Sequence, residues 1–250
     1  MTKKEWTDDY FNEFYFKIYS TKLIPPHITK LETNFILKYL KLKKTDLILD
    51  IATGYCRHQQ ILEKKGFKTV GLERSIYFLK NSQLYKKSSV NTTLINSDMR
   101  DLPLKDETFD KVYLMFNSFG YFSDEENIKV LKEVHRVLKK GGLFLLDLPD
   151  KETVLDEISE SPMSNYWEED FEINEKWAYD KKNKIIHNKT EFVVDGSSHK
   201  TEFYVRMYAK KEIEKIFSDL KFKINGVYGE FDGASYDDLS TKMIFIVEKL

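Results

Sequence analysis

The order of apolar and polar positions divides the chain into three stretches. Over residues 6–19, Trp6, Tyr10, Phe11, Phe14, Tyr15, Phe16 and Tyr19 recur mostly three or four apart, which predicts one helix with an aromatic face. Pro25-Pro26 breaks it. A second helix is predicted over 28–40, with Ile28, Leu31, Phe35, Ile36, Tyr39 and Leu40 inward. From Leu47 the pattern changes. Short apolar runs at 47–51, 68–73, 92–95, 109–115 and 143–148 suit buried parallel strands. Between them lie helical stretches. One ends at Gly66. One is capped by Ser75 and runs through Ile76, Leu79 and Leu84. One opens on the capping box Ser123-x-x-Glu126 and turns Ile128, Leu131, Val134 and Leu138 inward. Lys139-Lys140-Gly141-Gly142 reads as the end of that helix. Five strands separated by helices predict a doubly wound parallel sheet.

Residues 151–205 break the alternation. Residues 151–180 hold ten acids against two bases. Stretches 184–194 and 200–208 then alternate like antiparallel strands, joined near Asp195-Gly196. This segment reads as an insertion. The α/β pattern resumes with a helix through Ile213, Ile216, Phe217 and Leu220, a strand at 222–228 and a last strand at 243–248.

Composition narrows the function classes. With 40 basic and 41 acidic residues the formal net charge is −1, which removes the broad basic footprint of a dedicated nucleic-acid binder. No apolar run reaches the roughly 20 residues that span a bilayer. The first residues show no apolar leader, and the single cysteine, Cys56, excludes an internal disulfide. The expected compartment is the cytoplasm. No histidine shows metal-ligand spacing, so no metal site is expected.

Ligands of open α/β sheets bind at the carboxyl ends of the strands. The first such end reads Asp50-Ile51-Ala52-Thr53-Gly54-Tyr55-Cys56-Arg57-His58. It has neither the three glycines of a dinucleotide fingerprint nor a phosphate-binding Gly-Lys-Ser/Thr. That disfavours a phosphate-bearing cofactor and leaves room for a nucleoside. Glu73 ends the second strand 19 residues after Gly54, near the spacing at which an acid grips ribose hydroxyls. Asp98-Met99 follows the third strand and offers a carboxylate for an amino group beside an apolar residue for a ring.

These residues resemble the class I S-adenosylmethionine-dependent methyltransferases. The family pattern Asp-x-Gly-x-Gly-x-Gly is met here by Asp50-x-Ala52-x-Gly54-x-Cys56. Asp98-Met99-Arg100-Asp101-Leu102-Pro103-Leu104, Phe109-Asp110 and Arg136-Val137-Leu138-Lys139-Lys140-Gly141-Gly142 also fit. Residues 116–122 and 228–233 look like a subgroup of small bacterial and archaeal members.

The resemblance implies a Rossmann-like, seven-stranded, mostly parallel sheet whose last strand is antiparallel. It implies one domain over 1–250: a helical cover (1–42), a cofactor-binding half (43–150), a β insert or lid (151–205) and a C-terminal part completing the sheet (206–250). S-adenosyl-L-methionine is the implied cofactor, with Asp50, Ala52, Gly54, Arg57, Glu73, Asp98, Met99 and Phe116 around it. Tyr15, Asn117, Ser118, Tyr121, Trp167 and Arg206 are candidates to line the substrate. Methyl transfer is an in-line displacement that positioning can drive, so no catalytic base is assigned.

The expected reaction is methylation of an oxygen or nitrogen of a small molecule by a monomer or homodimer, with no membrane partner. A tRNA or protein acceptor, or a non-catalytic cofactor-binding subunit, are the alternatives. The acidic insert disfavours a polyanionic acceptor. Ala52 and Cys56 depart from the family glycines. At a positive φ the alanine would cost about 1 kcal/mol, and at an ordinary φ nothing.

Overall fold

The structure is a computed structural model that describes residues 5–82 and 93–250. A seven-stranded sheet forms its centre. In chain order the strands are β1 (Leu47–Ile51), β2 (Lys68–Glu73), β3 (Thr93–Asn96), β4 (Phe109–Leu114), β5 (Leu138–Pro149), β10 (Phe222–Tyr228) and β11 (Lys242–Lys249), and in space they run β10-β11-β5-β4-β1-β2-β3. β11, the last strand of the chain, is antiparallel to both of its neighbours, whereas β1 to β5 pair in parallel.

Side chains alternate across each strand and both faces are covered, which is why the strands read as continuous apolar runs. Leu49, Ile51, Val112, Leu114, Phe144, Leu146 and Phe245 face one layer, with Leu131 and Val134 of α6 (Asp124–Val137) and Phe217 of α8 (Lys210–Asp219). Ile48, Tyr113, Leu145, Ile244 and Ile246 face the other, with Phe35 and Ile36 of α3 (Pro26–Tyr39) and Leu62 of α4 (Arg57–Lys64). Phe144 is fully buried, so truncation to alanine should cost about 3–5 kcal/mol.

The N-terminal aromatic stretch is two helices, not one. α1 (Trp6–Tyr10) stops at Phe11, and Asn12 caps α2 (Glu13–Ile18) by accepting from the N–H groups of Phe14 and Tyr15. The aromatic spacing continues through the break because both helices face the same apolar layer. Pro26 occupies the first turn of α3, where its missing N–H is harmless. Leu31 is exposed, and the buried polar positions Glu32 and Thr33 take the inward face instead.

Ser75 caps α5 (Ile76–Asn81) as expected, whereas Leu84 and Thr92 fall outside the described residues. The capping box of α6 is formed by Ser123 and Glu126. Lys139 to Gly142 do not end that helix. It stops at Val137 because Leu138 already pairs with Phe109, and Gly141 takes its positive φ of 74° inside β5.

Residues 151–205 contain α7 (Lys151–Glu160) and most of a second sheet of four antiparallel strands: β6 (Met163–Glu168), β7 (Phe171–Asp180), β8 (Ile185–Val194) and β9 (Ser197–Arg206). Asp195 and Gly196, at φ 52° and 74°, make the two-residue turn between β8 and β9. Phe171, Ile173, Phe192 and Val194 on one face of this sheet pack against Tyr10, Tyr15, Ile18 and Phe78. The insert therefore backs the N-terminal helices rather than standing apart from them. No helix among the described residues is long and apolar enough to cross a membrane.

Candidate active site

Strand order reverses between β1 and β4, so their carboxyl ends open a crevice. Its volume is about 470 Å³. It is lined by the turn after β1, the ends of β2, β3 and β4, and from above by Thr7, Phe11 and Tyr15 of the N-terminal helices.

The turn after β1 explains the family glycines. Ala52, Gly54 and Cys56 stand at φ 55°, 57° and 65°. The backbone is left-handed at all three, a conformation that costs a residue with a Cβ roughly 1–2 kcal/mol. The chain keeps the conformation and carries that strain at Ala52 and Cys56. A Cβ at Gly54 would meet nothing within 4 Å, so space above the turn is open. Cys56 is fully buried, and burial pushes its thiol up to about 12, which removes it as a nucleophile near neutral pH.

Three carboxylates shape the strand ends, and Glu73 joins those of β1 and β2. Thr53 donates to Asp50 at 2.7 Å. Burial pushes the Asp50 carboxyl up to about 7, against that hydrogen bond and the charge of Arg57. Glu73 accepts from the N–H of Gly54 at 2.9 Å and of Ser75 at 2.8 Å, and burial raises its carboxyl despite those donors. Asp98 is held by Arg100, through Nε at 3.0 Å and a terminal nitrogen at 2.7 Å. Burial opposes ionisation there, but Arg100 keeps the carboxyl below its usual range.

Arg57 is almost wholly paired inside the protein. Glu32 of α3 takes its guanidinium in a two-pronged contact, Thr29 accepts at 3.1 Å, and the guanidinium lies 4.9 Å from the centre of the Phe116 ring. Glu32 also meets His58 Nε2 at 3.0 Å. Burial and the neighbouring Arg57 charge lower His58, and Glu32 pulls it back only in part. The sequence gives no local sign of this cluster, because Glu32 and Arg57 are 25 positions apart.

The cover is latched over the site by a second network. Arg74 binds Glu5 and reaches Asp8 at 3.0 Å. Arg100 reaches Glu5 at 2.9 Å and Glu126 at 2.8 Å. The sequence gives no local sign of this network, because the partners of both arginines on the cover, Glu5 and Asp8, lie 66–95 positions away.

The crevice brings together Asp50, Ala52, Gly54, Arg57, Glu73, Asp98, Met99 and Phe116, and also Tyr15, Ser118 and Tyr121. Asn117 follows Phe116 but does not line it. Trp167 is 72% exposed on β6, away from the crevice. Arg206 is buried, bound to Glu212 at 2.7 Å and Asp124 at 3.1 Å and stacked 4.3 Å from the centre of the Tyr208 ring. Among the described residues no group of three or more His, Cys, Asp or Glu side chains is placed to hold a metal ion.

The residues present fit an adenosine-type cofactor. Carboxylates at the β2 and β3 ends suit hydroxyl and amino donors, Met99 and Leu72 suit a ring, and the open space over Gly54 allows close approach to backbone.

Comparison with known proteins gives the same reading. Residues 48–142 match the family described as "Methyltransferase domain". A glycine/sarcosine N-methyltransferase of Aphanothece halophytica is 28% identical over 222 residues, 87% of this chain and 82% of that protein. An S-adenosylmethionine-dependent methyltransferase of Clostridium acetobutylicum superposes with a TM-score of 0.78 at 20% identity, covering 94% of this chain and 96% of the other. CalS10, an amino pentose methyltransferase of Micromonospora echinaspora solved with its cofactor bound, gives 0.66 at 15% identity, covering 96% and 98%. Fold, crevice and relatives together support a methyltransferase that uses S-adenosylmethionine, with residues 48–142 as its methyltransferase domain.

Proposed function

We propose that the enzyme transfers a methyl group to a nitrogen or oxygen of a small molecule. The observation that carries this reading is the crevice beneath the N-terminal cover. Its volume of about 470 Å³ lies under the N-terminal aromatic cover, and no lysine among the described residues lines it. The two arginines that reach it from the first two strand ends, Arg57 and Arg74, are paired with Glu32 and with Glu5 and Asp8. A nucleic-acid acceptor needs unpaired cations along its path, and a polymer of any kind needs an open approach.

In this reading Glu73 takes the ribose hydroxyls, and Asp98 with Met99 takes the adenine. Asp50, Gly54, Arg57 and Phe116 surround the amino-acid end, with Ala52 shaping the turn. S-adenosylmethionine supplies a methyl group made electrophilic by its sulfonium. Tyr15, Ser118 and Tyr121 bound the acceptor side. Burial raises the phenols of Tyr15 and Tyr121, so near neutral pH both remain neutral hydrogen-bonding groups. Two features support nitrogen over oxygen. An amine brings its own lone pair, and the relatives named for glycine, sarcosine and an amino pentose act on amine-bearing molecules.

The test is incubation with S-adenosylmethionine carrying a labelled methyl group and, in parallel, a metabolite extract, total tRNA and total protein. Label should enter the small-molecule fraction. Label confined to tRNA or protein overturns the reading.

A further inference from the structure

After β4 the chain turns through Phe116 and Asn117, at φ 60° and 56°. Among the described residues these are the only two consecutive non-glycine residues with left-handed backbone. Each costs roughly 1–2 kcal/mol, and such strain persists only where the surroundings enforce it. The enforcing group is on the neighbouring strand. Leu114 pairs with Leu146, and Asp147 is the next residue of β5. It is fully buried, and its Oδ2 accepts from the Phe116 N–H at 2.8 Å. The Asn117 N–H also contributes a hydrogen bond to this carboxylate. Successive N–H groups in such a turn form a concave seat for an anion, and here a side chain of the protein fills it.

We propose that Asp147 is a positioning residue for methyl transfer: it locks the Phe116–Asn117 turn and so holds the loop that bounds the acceptor. A buried carboxylate is costly to keep in a core unless its hydrogen bonds repay it. Asp147 forms no ion pair among the described residues; Lys242 of β11 and Glu32 of α3 act on it only through their fields. Among the described residues its other oxygen, Oδ1, has no hydrogen-bond partner. An apolar residue would fill this place more simply, but it would leave the turn without its clamp.

The loop beyond the turn shows what the clamp controls. Phe116 is set beneath the Arg57 guanidinium and 6.4 Å from the centre of the Tyr19 ring. Ser118 and Tyr121 reach the crevice. The far end is tied at Gly120, whose carbonyl accepts from the Arg206 N–H at 2.8 Å. A Cβ on Gly120 would lie 2.6 Å from the Arg206 carbonyl oxygen, so that anchor is backbone on backbone. The loop thus hangs between two fixed points, and Asp147 is the side chain at the end nearer the strand. Displacement of reacting groups by about 1 Å can slow a reaction about 100-fold.

The assignment rests on the small-molecule reading only for its activity readout. The experiment compares the parent with Asp147→Asn, Asn117→Gly and the double variant. Calorimetry with S-adenosylmethionine measures cofactor binding. Labelled-methyl transfer into a small-molecule extract at saturating cofactor measures turnover. Amide hydrogen exchange reads Phe116 and Asn117 directly. Asp147→Asn replaces a charged acceptor by a neutral one of about half its strength, and should slow transfer at saturating cofactor about ten-fold or more, with a smaller loss of cofactor affinity through Phe116.

In the Asn117→Gly background, where glycine adopts the left-handed conformation unaided, the same change should cost less than about three-fold. Equal losses in both backgrounds, or no loss in either, overturn the proposal. If the parent labels nothing in the extract, the small-molecule reading fails and amide exchange alone decides. Faster exchange confined to Phe116 and Asn117 in Asp147→Asn supports the clamp, and unchanged exchange overturns it. If Asp147→Asn does not fold, the double variant should, because its turn is less strained; an unfolded double variant counts against the assignment.

Discussion

Glu73 offers the sharpest test of the cofactor assignment, because its two roles respond differently to substitution. Its carboxylate accepts the N–H groups of Gly54 and Ser75, at 2.9 and 2.8 Å, and is 8% exposed. Hydrogen bonds to a charged group contribute about 1.5–3 kcal/mol each, and removing the buried charge returns part of that. Glu73→Ala should therefore lower stability by about 2–4 kcal/mol. It should also weaken S-adenosylmethionine binding roughly 10–100-fold, about 1.4–2.7 kcal/mol. Glu73→Gln keeps one acceptor oxygen and the shape, so it should cost about 1 kcal/mol of stability and still lose about ten-fold in affinity.

Urea unfolding without cofactor and calorimetric titration with S-adenosylmethionine separate the two effects. The pH dependence separates them again. Burial raises the folded pKa of Glu73 above its usual value, so between the usual and the raised value the folded state binds the extra proton. Its contribution to stability is then larger at the acid end of that window and shrinks as pH rises through it. Cofactor affinity should move the opposite way, falling as the carboxylate is protonated. A Glu73→Gln variant with parent affinity would show that Glu73 only joins the ends of β1 and β2, and the ribose assignment would be refuted.

Ala52→Gly should relieve about 1–2 kcal/mol of left-handed strain, offset by about 0.5–1 kcal/mol of added chain entropy; calorimetry should find cofactor affinity equal or better, and a ten-fold loss would mean the methyl group itself contacts the cofactor. Cys56 should resist iodoacetamide at pH 8 in the folded protein and react in urea, because it is fully buried with a raised thiol pKa; rapid native alkylation would contradict its placement. His58 is held neutral by burial and by Arg57, its folded pKa lying below the usual value. The unfolded chain therefore takes up the proton first, and stability should fall as pH drops from about 6.5; an unchanged slope in His58→Asn would count against His58 as the source.

What the sequence revealed and what it hid follow from how local each signal is. The strand-end acids, the Ser75 cap and the Ser123–Glu126 box each depend on neighbours within a few residues, and all were legible. The insert was half legible. β8 and β9 alternate cleanly and meet at Asp195-Gly196, but β6 is exposed along its whole length, so only its pairing with β7 defines it. β7 does place Phe171, Ile173 and Trp177 on alternate positions, yet the surrounding acids obscured that period. The break at Asn12 was hidden for the opposite reason, since aromatic spacing carried straight through it.

The groups that hold the site in shape depend on distant partners, and a single sequence carries no trace of those distances. Glu32 reads as an ordinary polar residue between apolar positions of a helix until the fold sets it against Arg57. Asp147 reads as an odd acid in a strand until β5 lies beside β4. Glu5 and Asp8 read as solvated charges at the start of the aromatic stretch, and in the fold they close the cover onto Arg74 and Arg100. Glu32, Asp147 and Glu5 do not line the crevice themselves, whereas Asp8 does. Each fixes a group at or beside the crevice: Arg57, the Phe116–Asn117 turn, or the arginines beside Asp98. Cofactor chemistry in this fold is therefore carried by short segments at strand ends, while the shape of the acceptor side is set by long-range pairs, and a search for acceptor determinants should begin with those pairs rather than with the motif residues.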